Sequence, residues 1–280
     1  MFRNYSWYGY AGWLLMFTGW AGNWFGEGLR THIFFFPQWL GFILLVDAWV
    51  LKRAGSSLVR RDLKKFISLF FLSIPVWWIF ELLNIRVQNW FYVGREHFSN
   101  VEYFLLASLN FSTVIPAVFE VTELLTTFRW TKKLTRGPKI ADNRKTAKIL
   151  IVLGALMLAL DLLWPRYFYV FTWVSIYLFV EGINILLKKN SLVRFASTRN
   201  WYPLYMLALG CLCCGILWEC WNYYSFPKWI YKIPYVDFLK IFEMPVLGYL
   251  GYIPFAFELY SIYMLFADTG QRQRPYIIMH

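Results

Sequence analysis

The sequence predicts an all-α fold: a polytopic membrane helical bundle of eight transmembrane helices, arranged as two parallel four-helix repeats with both termini cytoplasmic. Three observations carry this expectation. Of 280 residues, 59% are hydrophobic and only 16% charged, whereas soluble domains are roughly a quarter charged. Apolar runs approach the roughly 20 residues that cross a hydrocarbon layer of about 30 Å. Blocks of sequence also recur at nearly constant spacing, which is the mark of a repeat. Together these exclude a disordered regulator, a disulfide-stapled secreted module and a soluble α/β enzyme.

In chain order the expected spans are Trp7–Phe25, Ile33–Leu51, Phe66–Leu83, Val101–Phe128, Ala147–Leu163, Tyr167–Leu187, Tyr202–Trp221 and Val236–Phe266, each read from an unbroken apolar pattern. The first is Trp-rich with no small-residue cleavage site after it, and reads as a retained anchor. The fourth and eighth are long, and Pro116, Pro245 and Pro254 are expected to bend them or lead them out of the bilayer. The net charge of +12 resides in the connections, with 21 of the 28 Lys and Arg on the side of the termini. That asymmetry on short loops places both termini in the cytoplasm and the chain in the cell inner (plasma) membrane. The charge therefore reports orientation, and no nucleic-acid partner is expected.

Trp39, Asp47 and Ser57-Leu58-Val59-Arg60 recur 134 residues later as Trp173, Glu181 and Ser191-Leu192-Val193-Arg194. At a spacing of 138, Phe80-Glu81-Leu82-Leu83-Asn84 matches Trp218-Glu219-Cys220-Trp221-Asn222, and Ile115-Pro116 through Glu120 matches Ile253-Pro254 through Glu258. An even number of spans per copy means both copies insert the same way up, related by an axis along the membrane normal. Residues 1–128 form the first copy, 129–146 a basic cytoplasmic linker with Gly137-Pro138, 147–268 the second copy, and 269–280 a cytoplasmic tail.

Acids inside these spans include Asp47, Glu81, Glu120, Glu123, Asp161, Glu181, Glu219, Glu243 and Glu258. An acid at the centre of a membrane helix costs about 3 kcal/mol, so such residues need partners or a polar interior. Four pairs are repeat-equivalent: Glu27 with Asp161, Asp47 with Glu181, Glu81 with Glu219, and Glu120 with Glu258. Glu81 and Asn84 lie three residues apart on one helical face, as do Glu219 and Asn222, so each carboxylate and amide is expected to share a polar chamber. Two carboxylates in one low-dielectric site divide into a proton-holding acid and an ionised base. A second reading also fits: Glu and Asn serve as interhelical hydrogen-bonding glue, copied by the duplication.

The connections after the third and seventh spans carry Asn89-Trp90-Phe91-Tyr92 and Lys228-Trp229-Ile230-Tyr231. They read either as an anchoring belt at the headgroup level or as an aromatic rim whose π faces would stabilise a carbocation. Cys211, Cys213, Cys214 and Cys220 share one apolar run and read as small buried hydrophobes. His32, His97 and His280 are isolated, and no phosphate-cradling Gly loop, CxxCH or HExxH motif is present. No cofactor and no metal are therefore expected.

The aromatic-acid steps Phe80-Glu81 and Trp218-Glu219, followed by Trp90 and Trp229 and then by Glu243-Met244-Pro245, resemble the integral-membrane, flavin-independent lycopene cyclases, whose helical domain is commonly tandem. The likeness covers roughly Phe66–Glu123 and Tyr202–Tyr263. It implies protonation of a polyene end group and ring closure through a carbocation, with Glu219, Glu243 and Glu81 as acid or base.

The expectation is thus a membrane enzyme acting on a hydrophobic isoprenoid-type lipid by carboxylate-mediated proton transfer. Glu81, Glu219 and Glu243 supply the chemistry, Asn84 and Asn222 orient them, and Glu120 and Glu258 extend the set. A proton- or cation-coupled transporter using the same acids at the repeat interface is the alternative, and a scaffold subunit bound to a membrane-protein partner is the third.

Overall fold

A computed structural model describes residues 5–267 and 276–277. Arg3, Arg272, Arg274 and His280 lie outside the described residues, as does most of the expected tail at 269–280. The chain is nearly all-α. Helix α1 (Trp7–Phe25) pairs with α2 (Thr31–Ala54) through facing glycines: a Cβ on Gly41 would lie 2.4 Å from the Met16 amide nitrogen, and one on Gly12 would lie 2.7 Å from the Gly41 carbonyl oxygen. Small residues let helix backbones touch where lipid supplies no hydrophobic drive for association. Gly55 ends α2 at φ 72°, a conformation that glycine alone adopts without cost.

A short helix α3 (Leu58–Arg61) leads to α4 (Leu63–Val87), whose N-cap Asp62 accepts from the Lys65 amide at 3.1 Å. Strand β1 (Trp90–Val93) follows. Helix α5 (Asn100–Phe111) opens on a Ser99/Glu102 capping box and is separated from α6 (Val114–Thr126) by a break at Ser112–Thr113. After the linker come α7 (Arg144–Leu163), α8 (Pro165–Phe168), α9 (Ser175–Leu186), α10 (Leu192–Ser197) and α11 (Tyr202–Tyr223). Strand β2 (Lys228–Tyr231), the small hairpin β3 (Lys240–Ile241) and β4 (Met244–Pro245), and α12 (Tyr252–Phe266) complete the fold.

Among the described residues, five helical stretches are long and apolar enough to cross a membrane: Thr31–Ala54, Leu63–Val87, Asn100–Thr126, Arg144–Leu163 and Tyr202–Tyr223. The stretch from Pro165 to Leu186, bent by 43° around Trp173, makes a sixth if taken whole. The expected eighth span differs most. Residues 236–251 are not α-helical, and α12 holds only 15 residues, about 22 Å of helix. Asp237 pairs with Lys240 at 2.7 Å and Glu243 pairs with Lys228, so the β3–β4 segment carries its own charges instead of an apolar helix face.

Helix α2 packs on α1 and α6, and α6 packs on α4; in the later part of the chain, α9 packs on α7 and α12, and α12 packs on α11. Helix α6 also lies against α11, α1 touches α11, and α7 touches α4. Large rings fill the centre. Trp39 meets Trp218 at 5.2 Å and Trp221 at 4.7 Å, while Phe80 stacks on Trp173 at 5.3 Å. Such ring pairs add about 0.5–1.5 kcal/mol beyond the area they bury.

Candidate functional site

Strands β1 and β2 form an antiparallel ribbon in which Trp90 faces Tyr231, Phe91 faces Ile230 and Tyr92 faces Trp229. Alternation along a strand puts Trp90, Tyr92, Trp229 and Tyr231 on one face. Two asparagines fasten this ribbon to the helices that precede it. The Asn84 amide donates to the Trp90 carbonyl at 2.8 Å, and its oxygen accepts from the Asn89 and Trp90 amides at 2.9 and 3.3 Å. Asn222 donates to the Trp229 carbonyl at 2.7 Å and accepts from the Trp229 amide at 2.9 Å. A carboxamide carries one donor group and one acceptor, and an extended strand presents the complementary pair.

This corrects the expectation that Asn84 and Asn222 orient the carboxylates: they orient the strands, and the aromatic residues of the strands reach the acids. Glu81 Oε1 accepts from Tyr92 OH at 2.6 Å, Trp77 Nε1 at 2.9 Å and Trp90 Nε1 at 3.1 Å. Glu219 Oε1 accepts from Tyr231 OH and Tyr252 OH, both at 2.8 Å, while its Oε2 is buried without a partner. Tyr92 and Tyr231 are half-buried with their hydroxyl ends turned inward. Burial, reinforced by the carboxylate beside each, holds both phenols well above their usual value.

The rings that grip the acids form the shared walls of two cavities beside the ribbon. The first, about 1120 Å³ including its open end, lies between α5, the start of α2 and the ribbon; the second, about 1160 Å³, lies toward β4 and the start of α12. Trp77, Trp90, Trp173, Tyr231 and Tyr252 line both. Neither carboxylate lines a cavity directly, so the expected polar chamber is an aromatic one with the acids immediately behind its wall.

Of the remaining candidates, Asp47, Glu120 and Glu123 lie near one another, with Arg61 among them. Glu243 sits in the β3–β4 turn, paired with Lys228, and not inside a helix as expected. Glu120 and Glu258 are fully buried on α6 and α12; Glu258 has no partner for either carboxylate oxygen, whereas Glu120 stands beside Asp47, with Glu123 and Arg61 close by. Asp47 accepts from Tyr8 OH at 2.5 Å, Ser57 Oγ at 2.8 Å and the Val59 amide at 2.9 Å. Glu181 accepts from the Val193 amide at 2.7 Å and Ser261 Oγ at 2.8 Å. These two acids anchor the N-termini of α3 and α10, where the helix dipole favours negative charge. Glu123 pairs with Arg61. Asp161, fully buried, accepts from Thr172 at 2.7 Å, whereas Glu27 is exposed in the α1–α2 turn. Among the described residues no three His, Cys, Asp or Glu side chains group as metal ligands.

Sequence reasoning did not find Trp77 or Tyr252. Each lies in an apolar run where an aromatic residue reads as packing. The available signal was spacing: Trp77 stands one helical turn before Glu81. No family model, no curated protein and no solved structure matches the chain.

Proposed function

We propose that this chain is an eight-span protein of the cell inner membrane, made of two parallel four-helix copies with cytoplasmic termini, that binds a hydrophobic isoprenoid-type lipid and acts on it by carboxylate-mediated proton transfer. The two-copy reading is supported by the equivalent bonds of Asn84 and Asn222 and of Glu81 and Glu219. The ribbon register also pairs each Trp-x-Tyr with the other as a local two-fold axis requires. The contacts Trp39–Trp218 and Phe80–Trp173 exchange equivalent positions across that axis.

One observation carries the functional reading: an aromatic cavity whose wall tyrosines donate to the half-buried Glu81 and the fully buried Glu219. The apolar walls suit a hydrocarbon chain, and their π faces stabilise positive charge that develops on it. In the proposed reaction a carboxyl group delivers a proton, relayed by the intervening tyrosine hydroxyl, to a terminal C=C bond. A tertiary carbocation results. A neighbouring C=C bond attacks that carbon and closes a ring, and the new cation loses a proton through the second tyrosine to its carboxylate. Substrate and product are isomers, and no oxidant or cofactor enters. The hydrogen bonds present, with phenol donating to carboxylate, are those of the proton-receiving end.

The test is mass spectrometry of lipid extracts from cells with and without the chain. A lipid product should appear with the wild-type protein and vanish in the Glu81→Gln/Glu219→Gln double variant. Undiminished product from a folded double variant overturns the assignment of these acids. A second reading, proton- or cation-coupled transport, is favoured by Glu258, buried without a partner outside the aromatic site, and by Glu120, buried beside Asp47 and Glu123. Proteoliposomes that move protons under an imposed gradient, together with an unchanged lipid profile, would select it.

A further inference from the structure

We infer that the first cavity recognises a neutral hydroxyl group on the lipid chain, held by the side-chain amide of Asn110; this rests on the reading of that cavity as a lipid site. Irregular backbone inside a membrane span persists where protein covers it or where it lines a cavity. The α5–α6 stretch is interrupted in this way at Ser112–Thr113, beside the cavity.

Nearly every polar group at the break has a partner. Ser73 Oγ donates to the Phe111 carbonyl at 2.6 Å and accepts from the Ile115 amide at 3.1 Å, bridging the gap from α4. Ser112 Oγ donates to the Leu109 carbonyl at 2.6 Å, and Thr113 Oγ1 to the Asn110 carbonyl at 2.8 Å. Trp78 Nε1 donates to Ser108 Oγ at 2.9 Å. The exception is Asn110 Oδ1, which is buried with no partner on a residue that lines the cavity. Trp77, Ala107, Phe111 and Val114 line the same cavity, and the one side-chain donor among them, Trp77 Nε1, is used on Glu81. An amide oxygen so placed needs a donor from the occupant, and a hydroxyl both donates to Oδ1 and accepts from the amide nitrogen.

The opposite end of the cavity is cationic, and His32 Nδ1 is a second unpartnered polar atom in its lining. Arg95 donates to the Phe98 carbonyl at 2.8 Å and to Asn100 Oδ1 at 2.5 Å, and Lys228 is paired with Glu243. Arg95 keeps its positive charge in these bonds to neutral acceptors, and the phosphate probe below tests whether that end takes an anionic headgroup. Asn110 stands eleven residues beyond the α5 N-cap Ser99, about 16 Å along the helix, so the hydroxyl sits at the inner end of the chain. The position 138 residues after Asn110 is Gly248, which lines the second cavity and offers no side chain. Recognition of the hydroxyl is accordingly a property of the first cavity.

The experiment is quenching of tryptophan fluorescence in the purified full chain in detergent micelles, titrated with farnesol, farnesene and farnesyl phosphate at one fixed micelle concentration. Farnesol should bind about tenfold more tightly than farnesene, the ratio expected for one hydrogen bond left unmade in an apolar site. Asn110→Leu should abolish that preference while leaving farnesene affinity within about twofold. Equal or tighter binding of farnesene to the wild-type chain overturns the inference, and this comparison stands even if the variant fails to fold. Tightest binding of the phosphate assigns recognition to Arg95 and Lys228 and also overturns it. A preference that survives in folded Asn110→Leu removes Asn110 from the role. If no probe quenches, the lipid-cavity reading itself falls; if all bind alike, only the hydroxyl inference does.

Discussion

Replacing Asn222 by Leu removes both hydrogen bonds that hold the Trp229 peptide group to α11 while nearly conserving side-chain volume. Asn222 is fully buried, so water cannot replace either bond. Each backbone group left unpaired costs about 1–3 kcal/mol, and the pair together about 2–5 kcal/mol. That is a large share of a typical folding stability of about 5–15 kcal/mol, and it should lower the midpoint of thermal unfolding by on the order of 10 °C. Asn84→Leu removes three bonds at the corresponding place. Asn84, however, is only half-buried, and water or headgroups can satisfy the freed groups, so its cost should be about 1–2 kcal/mol. The assay is thermal unfolding in detergent followed by tryptophan fluorescence, with both variants in the same micelles. An Asn84→Leu loss equal to or larger than that of Asn222→Leu would refute the argument, because it would mean that bond count and not burial sets the cost.

Gly41→Leu drives its side chain into the Met16 and Gly12 backbones; it should cost at least about 3 kcal/mol and open the α1–α2 turn to protease, and an unchanged digestion pattern would count against close helix contact there. The Tyr92 and Tyr231 phenols stand above their usual value in the folded chain, so the folded state holds their protons longer than the unfolded state does. The stability they contribute is complete below about pH 10 and falls as pH rises beyond it. Melts between about pH 9 and 11.5 should therefore be flatter for Tyr92→Phe/Tyr231→Phe than for the wild-type chain, and superimposable slopes would remove these two residues from the account. A double-mutant cycle between Tyr231→Phe and Glu219→Gln should return a coupling of about 1–3 kcal/mol, whereas additive losses would mean that the 2.8 Å contact contributes nothing specific.

The helical stretches were legible because a membrane core rewards a property that a single sequence displays, namely unbroken apolarity over a fixed length. The same measure misread residues 236–251. Val236, Phe238, Leu239 and Ile241 are as apolar in a loop and hairpin as in a helix, and period alone does not separate short apolar runs. The acids were legible as anomalies, and the equivalence of Glu81 with Glu219 pointed to one environment built twice. Their partners were not. A tyrosine or tryptophan in such a chain reads alike whether it faces lipid, core or cavity, and only geometry distinguished Tyr252 on Glu219 from Tyr263 packed against Phe119.

By itself, then, the sequence determined a helical chain with several runs long and apolar enough to cross a membrane, duplicated blocks and acids within those runs, since these follow from composition, run length and repetition along one dimension. The tertiary structure alone decided what the acids touch, that Asn84 and Asn222 bind strands and not carboxylates, and that Glu243 belongs to the β3–β4 turn, paired with Lys228. The reason is that hydrogen bonds between residues such as Tyr252 and Glu219, 33 positions apart, depend on angles and distances set by the packing of whole helices. No local pattern of residue types encodes those.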